Sequence, residues 1–228
     1  AMSFTETDEQ QALRAAVAQL AASYGYEYSV AKARADESLT ELWAEAGKLG
    51  YLGVNLPEEF GGGGQGMYEL AIVEEELGAA GCGLLMMVVS PAICGTVITR
   101  FGTDEQKGRW LPGLADGSSI MAFGITEPDA GSNSHRITTT ARRDGSDWLL
   151  TGQKVYISLV RQAKHIVVMA RTRPYDSEHR TRGISLLLGD LPDEGVSAHP
   201  FKKLGNHFMD TNAVYFTDYA IPAGNVVG

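Results

Sequence analysis

The sequence is poor in cysteine, with Cys82 and Cys94 alone among 228 residues. Two are too few for a disulfide framework, so they read as small buried hydrophobes in a reducing compartment, taken here as the cytoplasm. Histidine is sparse as well. His135, His165, His179, His199 and His207 are scattered, and no His or Cys pair stands at zinc spacing, so no metal is expected. Positive charge is in deficit: 19 Lys and Arg against 28 Asp and Glu leave a formal net charge of −9. Such a chain lacks the field that nucleic-acid binders rely on. Lys202-Lys203 or Arg142-Arg143 remain local partners for one anionic ligand, although Arg142-Arg143, beside a turn, read first as solvated surface. Long apolar runs are also missing. The most apolar stretch, 84–98, is interrupted at Ser90-Pro91 and Gly95-Thr96 and falls short of the ~20 residues a membrane span needs. It reads as a buried core helix, bent or broken at Pro91. No repeat of fixed period is present. The acidic start has no signal-peptide character, and Ala1 before Met2 reads as the remnant of a cleaved tag.

What is present is the composition of a globular protein, 44% hydrophobic and 21% charged, enough to bury a sizeable core. The first half has helical periodicity. Thr7-Asp-Glu-Gln10 is a capping box followed by Leu13, Val17, Leu20 and Tyr24. Ser38-Leu-Thr-Glu41 offers a second box and Thr103-Asp-Glu-Gln106 a third. A further helix is expected over 67–78, with Leu70, Val73 and Leu77 inward and Glu74-Glu75-Glu76 largely outward. The run Gly61-Gly-Gly-Gly64 lacks the lysine and the preceding strand of a phosphate loop and reads as a flexible surface turn.

From Ile120 the pattern changes to short β segments separated by turn signals. Strands are expected near 120–126, 137–143, 147–151, 155–158, 165–172, 183–189, 195–201 and 212–221, with Asp144-Gly145 the clearest hairpin turn. The fold class is therefore α+β: a helical domain over 1–118, then a small antiparallel β-barrel or sandwich over 119–228.

Two stretches carry the chemistry. Phe123-Gly-Ile-Thr-Glu-Pro-Asp-Ala-Gly-Ser-Asn133 is a strand that must leave its sheet at Glu127-Pro128. It leaves open backbone groups beside two hydroxyls, Thr126 and Ser132, and an aromatic. Gly131 is free to take a positive φ in the turn. On these residues alone an ordinary polar turn remains the plainer reading. In Gly152-Gln-Lys-Val-Tyr-Ile-Ser158, alternation puts Tyr156 and Ser158 on one face, able to cover a planar ring and bond its edge.

With Tyr51-Leu-Gly-Val-Asn-Leu-Pro-Glu-Glu-Phe-Gly-Gly62, Phe101-Gly-Thr-Asp-Glu-Gln-Lys107, Leu111-Pro-Gly-Leu-Ala-Asp-Gly117, and Lys203-Leu-Gly205 with Asp210-Thr211, these stretches resemble the acyl-CoA dehydrogenase family in order and spacing. The resemblance implies FAD as cofactor, an acyl-CoA as substrate and an electron-transfer flavoprotein as acceptor. It implies that the full-length protein is a homotetramer or dimer of dimers. Phe123 and Ile125 would offer backbone groups to the flavin pyrimidine edge and Thr126 a hydroxyl. Tyr156 would stand in the place of the family's tryptophan and Ser158 in that of its threonine. Ser132 would meet the CoA tail.

No carboxylate matches the family's catalytic base, so no catalytic residue is assigned. Glu127, beside a proline-fixed turn, is expected to be structural. The resemblance places the base in a further helical domain that this chain lacks, as a fragment would. An acyl-CoA oxidase, a flavin-dependent monooxygenase and a non-catalytic partner subunit are the alternatives. Asn133 stands where the family has aspartate, and Leu159-Val160-Arg161 where it has Asn-Gly or Asn-Ala.

Overall fold

The computed structural model describes residues 5–228, so Ala1 and Met2 fall outside the described chain. Helix α1, Asp8–Ala35, starts where expected: the Thr7 hydroxyl accepts from Gln10 N and the Gln10 side chain accepts from Thr7 N. Gly25, at φ 70°, breaks it into two segments. Helix α2, Thr40–Lys48, starts differently. Leu39, drawn into the core at 4% exposure, holds the cap position, and no side chain caps the helix. The Ser38 box is therefore not formed. Helix α3, Met67–Ala79, buries Leu70, Ile72, Val73 and Leu77. Glu75 and Glu76 are outward and pair with Arg14, whereas one carboxylate oxygen of Glu74 is buried and has no partner among the described residues.

The apolar stretch is not a regular helix. It forms a π-helical segment, Val88–Gly95, then α4, Thr96–Phe101. Pro91 has no N–H and its ring crowds the carbonyl four residues back, and the wider π turn relieves both problems. Ser90, fully buried, accepts Met121 N–H at 3.0 Å, while Leu85, Val88 and Ile93 are exposed. Helix α5, Asp104–Ala115, has the expected Thr103–Gln106 box. Among the described residues no helix is long and apolar enough to cross a membrane.

The glycine run is not flexible. Gly62, Gly63 and Gly64 donate to Pro57, Gly53 and Leu56 carbonyls at 2.8–3.0 Å. A Cβ at Gly62 would lie 2.2 Å from Leu56 O, so only glycine lets the strap close on the loop before it.

The strands are β1 Met121–Gly124, β2 Thr140–Asp144, β3 Asp147–Ser158, β4 His165–Arg171, β5 Ile184–Asp190, β6 Val196–Pro200, β7 Thr211–Pro222 and β8 Val226–Val227. They form one sheet in the order β6-β7-β3-β2-β4-β5-β8, with β1 paired to β4. Most pairs are antiparallel, but β1–β4 and β2–β4 are parallel, and the ladder stays open rather than closing into a barrel. Asp144 pairs with Asp147 across a two-residue turn in which Gly145 takes φ 56°. The two strands expected over 147–158 are one, kinked by register shifts at Leu150/Gly152 and Lys154/Ile157.

One hydrophobic cluster fills the helical half and another the sheet. A third joins them, with Ile98, Trp110, Leu111 and Leu114 packed against Met121, Val167 and Leu188, each 2% exposed or less. At about 1.5–3 kcal/mol for each fully buried apolar side chain, this seam fixes the helices on the sheet. It also sets β1, whose far end opens the site.

Candidate functional site

Strand β1 runs out at Gly124, and the chain turns back at once. Glu127 N donates to Ala130 O and Ala130 N to Glu127 O, at 3.1 and 3.2 Å. Gly131 does not use a left-handed backbone here. The Thr126 carbonyl accepts Val155 N–H at 2.8 Å, tying the end of β1 to β3. Among the described residues nothing engages Thr126 N–H or its hydroxyl, so a half-buried amide and hydroxyl stand open at the strand end.

Behind this edge lies a buried ion pair. Lys154, fully buried, donates from Nζ to Glu127 Oε1 at 2.8 Å and to Ile125 O at 3.0 Å. Glu127 also accepts Thr139 N on Oε1, and both Thr138 N and Thr138 Oγ1 on Oε2, at 2.6–3.0 Å. Burial would raise the Glu127 pKa, but the bonds from Lys154, Thr138 and Thr139 outweigh it and hold the carboxyl at about 2. Burial draws Lys154 down from its ordinary value against the pull of Glu127. Its Nζ has two acceptors, a carboxylate and a carbonyl. Glu127 is thus a saturated structural anion, as its place beside Pro128 suggested. The Ile125 carbonyl already accepts Lys154, so one lone pair is all it has left for a ligand.

The Lys154/Ile157 bulge puts Lys154 and Val155 both inward and turns Tyr156 out, at φ 63° and 69% exposure. A non-glycine residue in that region is strained by about 1–3 kcal/mol and persists only where its surroundings hold it. Val155 N–H on Thr126 O and the buried Asn212 amide, donating to Ile157 O at 3.2 Å, hold either side. The Tyr156 ring lies 5.6 Å from Phe201, and Ser158 is half-buried beside it in sequence, paired with Thr211.

Leu159 is left-handed too, at φ 47°, where the family's usual asparagine would be comfortable. Burial of its side chain with Phe208 and Met209, at the wall of a small apolar cavity of about 90 Å³, offsets the strain. Arg161 reaches Asp210 at 3.5 Å.

Beyond the turn, Ser132 is exposed, and the chain leads through Arg136 into a groove of about 800 Å³. Arg136, Arg142, Arg143, Arg171 and Arg173 line it. Among the described residues only Arg142 of these has a carboxylate within 4.0 Å. Arg136 and Arg171 stack on Tyr175, and Arg143 on Trp148. Arg171 is 6% exposed and donates to the carbonyls of Ile137, His135, Arg180 and Arg182. Arg142-Arg143 are solvated, as expected, yet gathered with three other cations. Lys203 is turned inward, bonding Asn206 O and Met209 O.

Comparison with known proteins gives this arrangement a family. Acyl-CoA dehydrogenase N-terminal domains match residues 7–118, and acyl-CoA dehydrogenase middle domains match residues 122–219. The chain belongs to the acyl-CoA dehydrogenase family. It is 56% identical over 226 residues to acyl-CoA dehydrogenase FadE12 of Mycobacterium tuberculosis, covering 99% of this chain and 58% of that protein. The structure of a glutaryl-coenzyme A dehydrogenase–glutaryl-CoA complex superposes with a TM-score of 0.92 at 28% identity, over all of this chain and 58% of that one. A glutaryl-CoA dehydrogenase from Mycobacterium smegmatis in complex with FADH2 gives 0.87 at 30%, over 97% and 55%. The chain thus spans a little under three-fifths of the length of these acyl-CoA dehydrogenases.

FAD is the cofactor of the family, and the residues present fit it. The open Thr126 amide and hydroxyl suit a ring edge rich in acceptors, and Tyr156 offers an aromatic face held outward at some backbone cost. Sequence reasoning missed Lys154. Alternation places it on the Tyr156–Ser158 face, and only the bulge turns it inward. The arginine groove was missed because its members come from separate segments that β2 and β4 bring together at Thr140 and Arg171.

Proposed function

We propose that this chain is the helical and sheet portion of an FAD-dependent enzyme that desaturates an acyl-CoA thioester between Cα and Cβ. When bound, FAD would supply the hydride acceptor for the β-hydrogen. Phe123, Ile125 and Thr126 would hold its pyrimidine edge. Tyr156 would cover the ring system, and Ser158 would offer it a hydroxyl. Ser132 meets the pantetheine of the substrate, and the arginine groove beyond it suits the phosphates of the same tail.

The base that takes the α-proton lies outside these residues. Glu127, the carboxylate nearest the edge in sequence, is sealed behind it with its oxygens bonded and its pKa near 2, unable to accept a proton near neutral pH. The whole protein is read as a cytoplasmic homo-oligomer of fatty-acid metabolism that passes electrons to an electron-transfer flavoprotein.

The observation that carries this reading is the open Thr126 donor pair at the strand end tied to the segment that presents Tyr156. Its test is a visible absorption titration of the chain with FAD. Binding that perturbs the flavin bands, weakened at least tenfold by Thr126→Pro or Tyr156→Ala, is expected. Binding indifferent to both changes would overturn the assignment. Chains extended to the length of the relatives should then bleach on addition of acyl-CoA under nitrogen. Rapid reoxidation by air afterwards would favour an oxidase over a dehydrogenase.

A further inference from the structure

The bond from Lys154 to Ile125 O joins a buried cation to one end of a peptide group whose other end, Thr126 N–H, is the open donor of the site. A neutral donor could close the same bond at less cost, since taking an ammonium out of water costs several kcal/mol even when it is paired. Glu127 relieves that cost, and Lys154 Nζ lies between its Oε1 and the Ile125 oxygen, at 2.8 and 3.0 Å. Oε1 also accepts Thr139 N, and Oε2 accepts Thr138 N and Thr138 Oγ1, so Lys154 is one of four donors to the carboxylate. The ammonium keeps 3.0 Å contact with the Ile125 oxygen.

We propose that Lys154 is a positioning residue that polarises the Ile125–Thr126 peptide, making Thr126 N–H a stronger donor than an ordinary amide. A cation on a carbonyl oxygen draws electron density from the amide nitrogen, and hydrogen bonds in series strengthen one another. Such a donor, fixed before the ligand arrives, favours whichever ligand state carries more negative charge at the bonded atom. The polarisation is a property of the protein alone. That the ligand is a flavin, which gains charge on reduction, rests on the function proposed above.

Hydroxide-catalysed hydrogen exchange at the Thr126 amide, followed by NMR in the flavin-free chain, tests it. A more acidic N–H exchanges faster, so the paired variant K154M/E127Q, which removes both charges and roughly keeps their volume, should exchange about tenfold more slowly, one unit of acidity. If the pair were only a strut, removing it would loosen the edge, and exchange would be unchanged or faster; either result overturns the proposal. Should the variant not fold, the Lys154 Nζ resonance of the unmodified chain decides. An ammonium coupled to three protons and correlated with the Ile125 carbonyl supports the proposal, and a neutral amine overturns it. In the flavin-loaded chain the same tenfold, read as weaker binding of the reduced than of the oxidised form, lowers the two-electron potential by about 30 mV. Slower exchange with an unchanged potential would keep the polarisation and remove Thr126 from the flavin.

Discussion

Glu127 and Lys154 stabilise the fold only together. Removing Lys154 leaves a buried carboxylate without its counter-ion, and Lys154→Met should cost about 3–5 kcal/mol in urea unfolding. The double variant K154M/E127Q should recover most of that loss; additive losses would mean that the two charges do not couple. Because the folded-state pKa of Glu127 is depressed to about 2 from the 4.5 of an ordinary glutamate, its contribution is present above the ordinary value. It is lost as pH falls from there through about 2, and Glu127→Gln should flatten that limb of an acid titration. Glu74 has the opposite sign. Burial raises its pKa to about 7, so its protonated form is the favoured one in the fold. The stability it contributes is present below 4.5 and lost as pH rises through about 7. Glu74→Gln should therefore raise Tm at about pH 8 while leaving it nearly unchanged at about pH 4. Each kcal/mol gained corresponds to roughly 2–4 °C in a chain of this size. An equal shift at both pH values would show that the carboxyl is not desolvated.

Helix ends give a matched comparison at the scale of elements. Thr103 caps α5 through its hydroxyl, and Gln106, three residues on, completes the box and donates to Gly224 O and Val226 O. Thr103→Ala should lose about 1 kcal/mol. Ser38→Ala, at a site with the same sequence signature but no cap bond, should lose less than about 0.5 kcal/mol. Equal losses in chemical denaturation would refute the difference seen at the two helix starts. The same contrast shows what the sequence makes legible. Helices α1, α3 and α5 follow from local periodicity and capping chemistry, and the Asp144-Gly145 hairpin from turn chemistry. Leu39 takes the cap of α2 because its side chain is wanted in a core assembled from distant segments, which no four-residue pattern records. The residues of the open edge were legible as a resemblance. The inward turn of Lys154 was not, because a bulge resets the alternation on which strand reading depends.

The helical half and the sheet share a core rather than being joined by a tether. The seam of Ile98, Trp110 and Leu114 against Met121 and Val167 is backed by polar ties. Met121 N donates to Ser90 Oγ, and Gln106 bonds the chain at 224 and 226. The distribution of charge across this single body is uneven. A molecule of net charge −9 concentrates five arginines in one groove, so from a distance it repels a polyanion, whereas within about a Debye length it draws one in. The two regimes depend oppositely on ionic strength. Added salt removes the far repulsion and speeds approach, but it also weakens the near attraction and slows capture. On the function proposed above, association of a phosphorylated ligand with this groove should therefore be fastest at an intermediate salt concentration in stopped-flow measurements, the kinetic signature of a cationic mouth in an anionic shell.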